Sequence, residues 1–85
     1  MEIRLHRNFI KKYTLLPKKI KEKFKERRNV FVENKFDPIL NNHNVEKRFP
    51  GCRSINVTGD YRAIFKEDKR NVFTFVNIGA HSELY

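Results

Sequence analysis

Three short apolar runs separated by polar turns fill the second half of the sequence, and this pattern constrains the fold more than any other feature. The last run, Val-Phe-Thr-Phe-Val at residues 72–76, is too short for a buried helix and too apolar for a surface strand. An earlier run alternates, which puts Ile55 and Val57 on one face of a strand. We therefore predict an antiparallel β-meander, whose strands cover residues 53–57, 61–66 and 72–78 and whose turns cover residues 58–60 and 67–71.

The first third of the sequence has helical spacing instead. A short alternating segment comes first, and Pro17 then separates two helical patterns, the second of which repeats its apolar residues at helical spacing. We predict a strand over residues 2–6, a helix over residues 9–15 capped by Asn8, and a helix over residues 17–34 with the apolar stripe Ile20, Phe24 and Phe31. Two short helices joined at a proline form an αα-hairpin.

These elements define one α+β domain over residues 1–85. Eight Phe and three Tyr suffice for one small core. The short N-terminal strand and the helical hairpin precede the meander, so we expect the helices to pack on one face of the sheet and to leave the other face for a site. Residues 35–52 are predicted to be an irregular connection, and a loop of this length in a small domain is often functional.

The basic charge is concentrated in the predicted helices. The chain has a formal net charge of +9 at pH 7, and residues 1–28 hold eleven Lys and Arg against three Glu. Residues 29–85 hold eight basic and seven acidic side chains. A bias of this size favours nucleic acid or an acidic protein as a partner over a merely solvated helix face.

The composition argues against several other classes of function. Cys52 is the single cysteine, so the chain has no internal disulfide and no thiolate-only metal site, and we expect the thiol to be buried or half-buried. No apolar stretch approaches the roughly 18 residues of a membrane span, and no signal-peptide core is present. We expect a cytoplasmic protein that needs no metal or small-molecule cofactor.

Three segments resemble a known family. Residues 50–65, Pro-Gly-Cys-Arg-Ser-Ile-Asn-Val-Thr-Gly-Asp-Tyr-Arg-Ala-Ile-Phe, are similar to the core motif of the RelE/ParE toxin superfamily. Residues 40–45, Leu-Asn-Asn-His-Asn-Val, resemble the histidine segment before that motif. Residues 78–85, Ile-Gly-Ala-His-Ser-Glu-Leu-Tyr, resemble the ending of its YafQ-like branch. The resemblance implies a microbial-ribonuclease-like fold and the toxin of a type II toxin–antitoxin system, which cleaves mRNA in the ribosomal A site and is neutralised by an antitoxin protein.

Metal-free RNA cleavage needs a base for the 2′-hydroxyl proton, an acid for the leaving 5′-oxygen and cations for the phosphorane charge. His81 follows the last strand, where we expect it at the sheet's edge, and is the first candidate for acid or base. His43 matches a catalytic histidine of YafQ-like toxins. Asp60 is a base, a group that orients a histidine, or a plain turn residue. Arg62 lies two residues after Asp60, so on an extended chain both side chains point to the same face, and a guanidinium suits bidentate contact with phosphate. Tyr85 suits stacking on a nucleotide base.

Further residues are predicted to hold RNA without taking part in the chemistry. Arg53 is a weaker phosphate candidate, and we expect ribosomal RNA contacts from the helix lysines Lys11, Lys12, Lys18, Lys19, Lys21 and Lys25. Tyr61 points away from Arg62 and is expected in the core, and His6 has no evident partner.

Two positions depart from the resemblance, because some YafQ-like toxins have a histidine where Asn56 stands and an arginine where Asn77 stands. Neither amide titrates near neutral pH, so the division of acid and base roles stays open. The alternative is a ParE-like toxin that binds DNA gyrase and cleaves nothing. A basic nucleic-acid-binding domain without toxicity is a third reading, although no zinc-finger spacing or convincing helix-turn-helix pattern is present.

Overall fold

The computed structural model describes all of residues 1–85 and consists of one five-stranded sheet with helices on its faces. Its elements in chain order are β1 (Glu2–Leu5), α1 (Arg7–Thr14), α2 (Lys18–Glu33), a 3₁₀ turn (Pro38–Leu40), β2 (His43–Asn44), β3 (Arg53–Asn56), β4 (Tyr61–Lys69), β5 (Val72–Ala80) and α3 (His81–Leu84). The predicted α+β class, helical hairpin and meander are confirmed.

The sheet has the strand order β1-β5-β4-β3-β2 and is mixed rather than purely antiparallel. The meander β3-β4-β5 is antiparallel, but β1 pairs with β5 in parallel, with Glu2 opposite Val72 and Leu5 opposite Phe75. The helical hairpin carries the chain from β1 at one edge of the sheet toward β2 at the other, and β3 and β4 then lead back to β5 beside β1. Because β1 stops opposite Phe75, the second half of β5 has no strand on that side, and α1 packs along it: Asn8 Nδ2 donates to the Val76 carbonyl over 3.4 Å.

The two faces of the sheet differ in what covers them. The helices bury an aromatic core against one face, which we call the helical face, built from Phe9, Phe24, Phe31, Leu40, Ile55, Val57, Ala63, Phe65, Phe73, Phe75 and Ile78. The opposite face, which we call the open face, has a smaller cluster of Val45, Cys52, Ile64 and Leu84. The loop before β3 and the one-turn helix α3 cover this second cluster and leave the rest of the face uncovered by helices.

Several predicted boundaries are wrong, and each has a local cause. Helix α1 begins at Arg7 because His6, and not Asn8, is its N-cap: His6 Nδ1 accepts a hydrogen bond of 3.0 Å from the Asn8 N–H. The predicted turn over residues 67–71 shrinks to two residues, since β4 continues to Lys69 and Asn71 adopts the left-handed φ of 64° that asparagine tolerates.

The predicted irregular connection over residues 35–52 contains structure of its own. It holds the 3₁₀ turn and the short strand β2, which adds a fifth strand to the sheet. Two residues are too few to produce a detectable alternation, so the sequence pattern did not reveal this strand.

Candidate active site

The last five residues fold back onto the open face of the sheet. Strand β5 ends at Ala80, and α3 follows at once as a single turn. The Ala80 N–H donates to Glu83 Oε1 over 3.0 Å, which caps the turn, and the Leu84 side chain is buried beside Ile64. This small helix was not predicted, because one turn gives no helical repeat to detect.

Helix α3 holds His81 and Tyr85 together at the end of β5. Their ring centroids lie 4.7 Å apart. The His81 N–H donates to the Asp60 carbonyl over 2.7 Å, so the start of α3 is bonded to the turn before β4. Both side chains are exposed, as groups that meet a large substrate must be. Strand β5 lies between β1 and β4, but β1 stops opposite Phe75, so the end of β5 before His81 has a strand neighbour only on the β4 side.

Asp60 and Arg62 flank the first residue of β4 but differ in what they contact. The Asp60 carboxylate is exposed and makes no hydrogen bond or ion pair within the chain. Arg62 bends back over the turn, where Nη1 donates to the carbonyls of Thr58, Gly59 and Tyr61 over 3.0, 3.1 and 3.1 Å. One nitrogen therefore fastens the guanidinium to the turn, while Nε and Nη2 keep their N–H groups for another acceptor. Asp60 reaches His81 through its backbone and not through its carboxylate.

His43 lies on β2 instead of in a bare loop. Its Nδ1 is 2.7 Å from the Asn41 carbonyl oxygen, which only accepts, so in the neutral ring Nδ1 carries the hydrogen and Nε2 presents a lone pair. The strand register sets His43 beside Ser54 and Ser54 beside Ile64. Paired residues share a face, so His43 belongs to the open face.

Two polar side chains on β3 lie on the same face without partners. Ser54 is fully buried and its hydroxyl has no hydrogen bond, and Asn56 has a buried Oδ1 that is likewise unpaired. Asn56 stands beside Arg62, and Arg62 beside Gly79, in one row across three strands. Unpaired buried polar atoms are costly, so both side chains add polarity to the open face at the expense of stability.

A shallow depression of about 360 Å³ lies beside Tyr85, lined by Asn44, Val45, Glu46, Lys47, Arg48 and Tyr85. Arg48 Nε donates to the Leu84 carbonyl over 2.9 Å, and the Phe49 ring stands edge-on to Tyr85 at 6.1 Å. Sequence reasoning missed Lys47 and Arg48. The only signal for them was a basic pair inside a polar loop, which is common on surfaces.

Arg53 is not brought together with these residues. It pairs with Phe65 in the register, which puts it on the helical face, where Nε donates to Asn42 Oδ1 over 2.7 Å and the guanidinium lies 5.7 Å from the Phe36 ring. Its predicted contact with RNA phosphate stays a prediction.

The helix lysines fall into two groups. Lys11, Lys18, Lys19 and Lys25 are exposed on the hairpin, and Lys18 pairs with Glu22 at 3.9 Å. Lys21 is half-buried with its ammonium 6.0 Å from the Tyr13 ring. Lys12 alone reaches the end of β5, where Nζ donates to Asn77 Oδ1 over 2.8 Å.

Cys52 is buried at 8% exposure, in agreement with the sequence. Burial raises the pKa of its thiol because the thiolate would lose its hydration.

No group of three or more His, Cys, Asp or Glu side chains is arranged to hold a metal ion. None of the helices has the length and the apolar character needed to cross a membrane.

The fold is that of RelE- and YafQ-like toxins. YafQ from Escherichia coli strain BL21(DE3) superposes with a TM-score of 0.81 at 22% identity, covering 99% of this chain and 97% of that one. The toxin in the E. coli DinJ-YafQ toxin-antitoxin complex gives a TM-score of 0.78 at 22% identity over 99% and 96% of the two chains. The intact E. coli RelBE toxin-antitoxin complex gives 0.65 at 16% identity over 93% and 94%.

No protein-family model matches the chain, and no curated protein is significantly similar to it. At these identities the likeness establishes the fold, which the resemblance of residues 50–65 and 78–85 had predicted.

Proposed function

We propose that this chain is the toxin of a type II toxin–antitoxin system and that it is an endoribonuclease acting on mRNA, with the ribosomal A site as its place of action. The observation that carries the proposal is the joining of α3 to the β3–β4 turn. Through it His81, whose ring lies 4.7 Å from that of Tyr85, is bonded to Asp60, two residues before Arg62, on a chain with a net charge of +9. An exposed imidazole, phenol, carboxylate and guanidinium at one end of a sheet form a set suited to phosphodiester chemistry.

In the proposed reaction, His43 and His81 act from the two sides of the open face. His43 Nε2 takes the proton of the 2′-hydroxyl, because Nδ1 is committed to the Asn41 carbonyl. The 2′-oxygen attacks phosphorus, and the bond to the 5′-oxygen breaks as the His81 imidazolium donates its proton to that oxygen. The products are a 2′,3′-cyclic phosphate and a 5′-hydroxyl.

The negative charge of the phosphorane needs cations that are already in place. Arg62 fits this role, because its Nη1 bonds to the turn fix the guanidinium and leave further N–H groups for phosphate oxygens.

The depression beside Tyr85 suits the nucleotide next to the cleaved bond. Tyr85 offers an exposed ring for stacking, and Lys47 and Arg48 supply charge for the adjoining phosphate. The exposed lysines of the helical hairpin lie outside this site and suit the sequence-neutral phosphate contacts of ribosomal RNA.

An antitoxin is the proposed protein partner. The structural neighbours include toxin–antitoxin complexes. Exposed apolar side chains follow α2, namely Phe36 at 59% and Ile39 at 50%, and Lys35 and Arg53 flank Phe36. This surface fits an acidic amphipathic segment of such a partner, which would cover apolar and basic groups together.

The test is induced expression, with transcript ends mapped and with protein and DNA synthesis followed separately. The proposal predicts cut transcripts and arrested translation, both relieved by co-expression of the product of the neighbouring open reading frame. Arrest of replication with intact transcripts would instead support a gyrase-binding toxin, and unaffected growth would contradict both.

A further inference from the structure

Lys12 differs from every other lysine of the helical hairpin in its surroundings. Its neighbour Lys11 is exposed, whereas Lys12 is half-buried and its Nζ donates to Asn77 Oδ1 over 2.8 Å. The same amide oxygen accepts the Ile78 N–H over 2.9 Å, so Asn77 is itself held in place. The Lys12 ammonium is therefore held in one position near the end of β5, whereas an exposed lysine ammonium moves on a flexible side chain.

The Lys12 ammonium lies against Gly79. A Cβ built at Gly79 would lie 3.4 Å from Lys12 Nζ and 3.5 Å from Leu84 Cδ2, which are ordinary van der Waals distances. Gly79 pairs with Arg62 across the sheet and precedes His81 by two residues. The ammonium of Lys12 therefore lies in the row that contains Arg62 and next to the start of α3.

Lys12 has no ion-pair partner inside the chain. No carboxylate lies within 4.0 Å of its Nζ, since the ion pairs of the chain involve other residues. The Glu83 carboxylate, which caps α3, lines the same depression as Lys12 and Gly79 without pairing with the ammonium. Asn77 is neutral and occupies one of the three N–H donors of the ammonium, so two donors remain for an anion next to the start of α3.

We propose that Lys12 Nζ binds a non-bridging oxygen of the phosphate that is cleaved, and that Asn77 is the positioning residue for this ammonium. The inference rests on the proposed ribonuclease function and adds a cation from α1 to the site. It predicts that Lys12 acts on the chemical step, where phosphorane charge develops, and that the exposed lysines act on binding alone.

The test compares Lys12→Met, which keeps the stem and loses the charge, with the control Lys69→Met, which removes the same charge from an exposed lysine at the far end of β4. Single-turnover cleavage is measured at saturating RNA, together with RNA affinity and the melting temperature.

We expect Lys12→Met to slow cleavage at saturation by about 100-fold, Lys12→Arg to retain part of the rate, and Asn77→Ala to give an intermediate loss. Lys69→Met should leave the saturated rate intact. Equal saturated rates for Lys12→Met and Lys69→Met would overturn the proposal.

A second readout does not depend on cleavage. A 2′-deoxy oligonucleotide, which lacks the attacking hydroxyl, should shift the backbone amide resonance of Gly79 and the side-chain amide resonance of Asn77, and Lys12→Met should remove both shifts. If the wild-type chain shows these shifts but cuts no RNA, the proposed function fails and the phosphate site stands. If it cuts RNA without them, the phosphate site fails alone.

Discussion

At the scale of single residues, the three histidines differ in the atoms that they contact and therefore in the roles we expect for them. The His81 ring is exposed and makes no hydrogen bond, His43 has one nitrogen fixed by the Asn41 carbonyl, and His6 uses its ring to cap α1. The first two have a free nitrogen for proton transfer, and the third has a structural task. His6 and His81 therefore provide a matched pair of substitutions.

His81→Ala should lower the cleavage rate by at least about 100-fold, since general acid catalysis contributes 10² to 10⁴, and should leave the unfolding free energy nearly unchanged. His6→Ala should do the reverse, costing roughly 1 kcal/mol of stability through the lost cap and keeping full activity. Cleavage assays and urea unfolding of both variants check this. Loss of activity in His6→Ala without unfolding would contradict the division of roles.

The raised pKa of Cys52 predicts low reactivity. Burial disfavours the thiolate, so at pH 7 to 8 alkylation of the folded chain should be much slower than that of a free cysteine and should accelerate only as the pH rises toward the raised pKa. Iodoacetamide labelling followed by mass spectrometry measures this, with the urea-unfolded chain as the reference. Equal labelling rates in the folded and unfolded chains would show that Cys52 is not protected.

At the scale of elements, α3 positions two of the proposed site residues, His81 and Tyr85, at the end of β5. A helix of one turn has no stability of its own, so its position depends on the buried Leu84 side chain and on the Glu83 cap. Leu84→Ala should cost roughly 2–3 kcal/mol and release the tail, reducing cleavage although no reacting group has changed. The Tyr85 amide, which donates to the His81 carbonyl over 3.0 Å, should lose hydrogen-exchange protection.

Ser82 provides the control for this prediction. It is exposed on the same turn and makes no side-chain hydrogen bond, so Ser82→Ala should leave stability, amide protection and cleavage unchanged. Full cleavage by Leu84→Ala would mean that the tail need not be docked for activity.

The length of an element decides whether it could be predicted from the sequence. Long periodic segments were predictable: α2 and the three strands of the meander follow from the spacing of their apolar residues. The elements that complete the site were not, because β2 and α3 have two and four residues and so contain no full period. The Lys12–Asn77 contact joins residues 65 positions apart and depends on β1 pairing in parallel with β5, which no local pattern encodes.

At the scale of the whole molecule, one aromatic core supports the sheet that positions these residues. Phe75 is fully buried, with the rings of Phe9, Phe24, Phe31 and Phe65 between 5.3 and 5.9 Å away. Phe75→Ala should cost about 3–5 kcal/mol, a large share of the stability of a small domain. Urea denaturation should therefore find the variant largely unfolded or close to it.

The exposed Phe36 is the matched control on the same molecule. Phe36→Ala should change the unfolding free energy by less than about 1 kcal/mol, and it should weaken binding of the antitoxin measured by calorimetry. Unchanged antitoxin affinity would exclude the Phe36 surface from that interface.

The proposed reaction, RNA cleavage through the 2′-hydroxyl with His81 as the acid, is tested most directly by end analysis of a defined mRNA. The mRNA is incubated with the purified chain and translating ribosomes. We expect fragments ending in a 2′,3′-cyclic phosphate and a 5′-hydroxyl, and no cut when the scissile nucleotide is 2′-deoxy or when His81→Ala replaces the wild type. Equal cleavage of the 2′-deoxy substrate, or intact RNA with the wild-type chain, would contradict it.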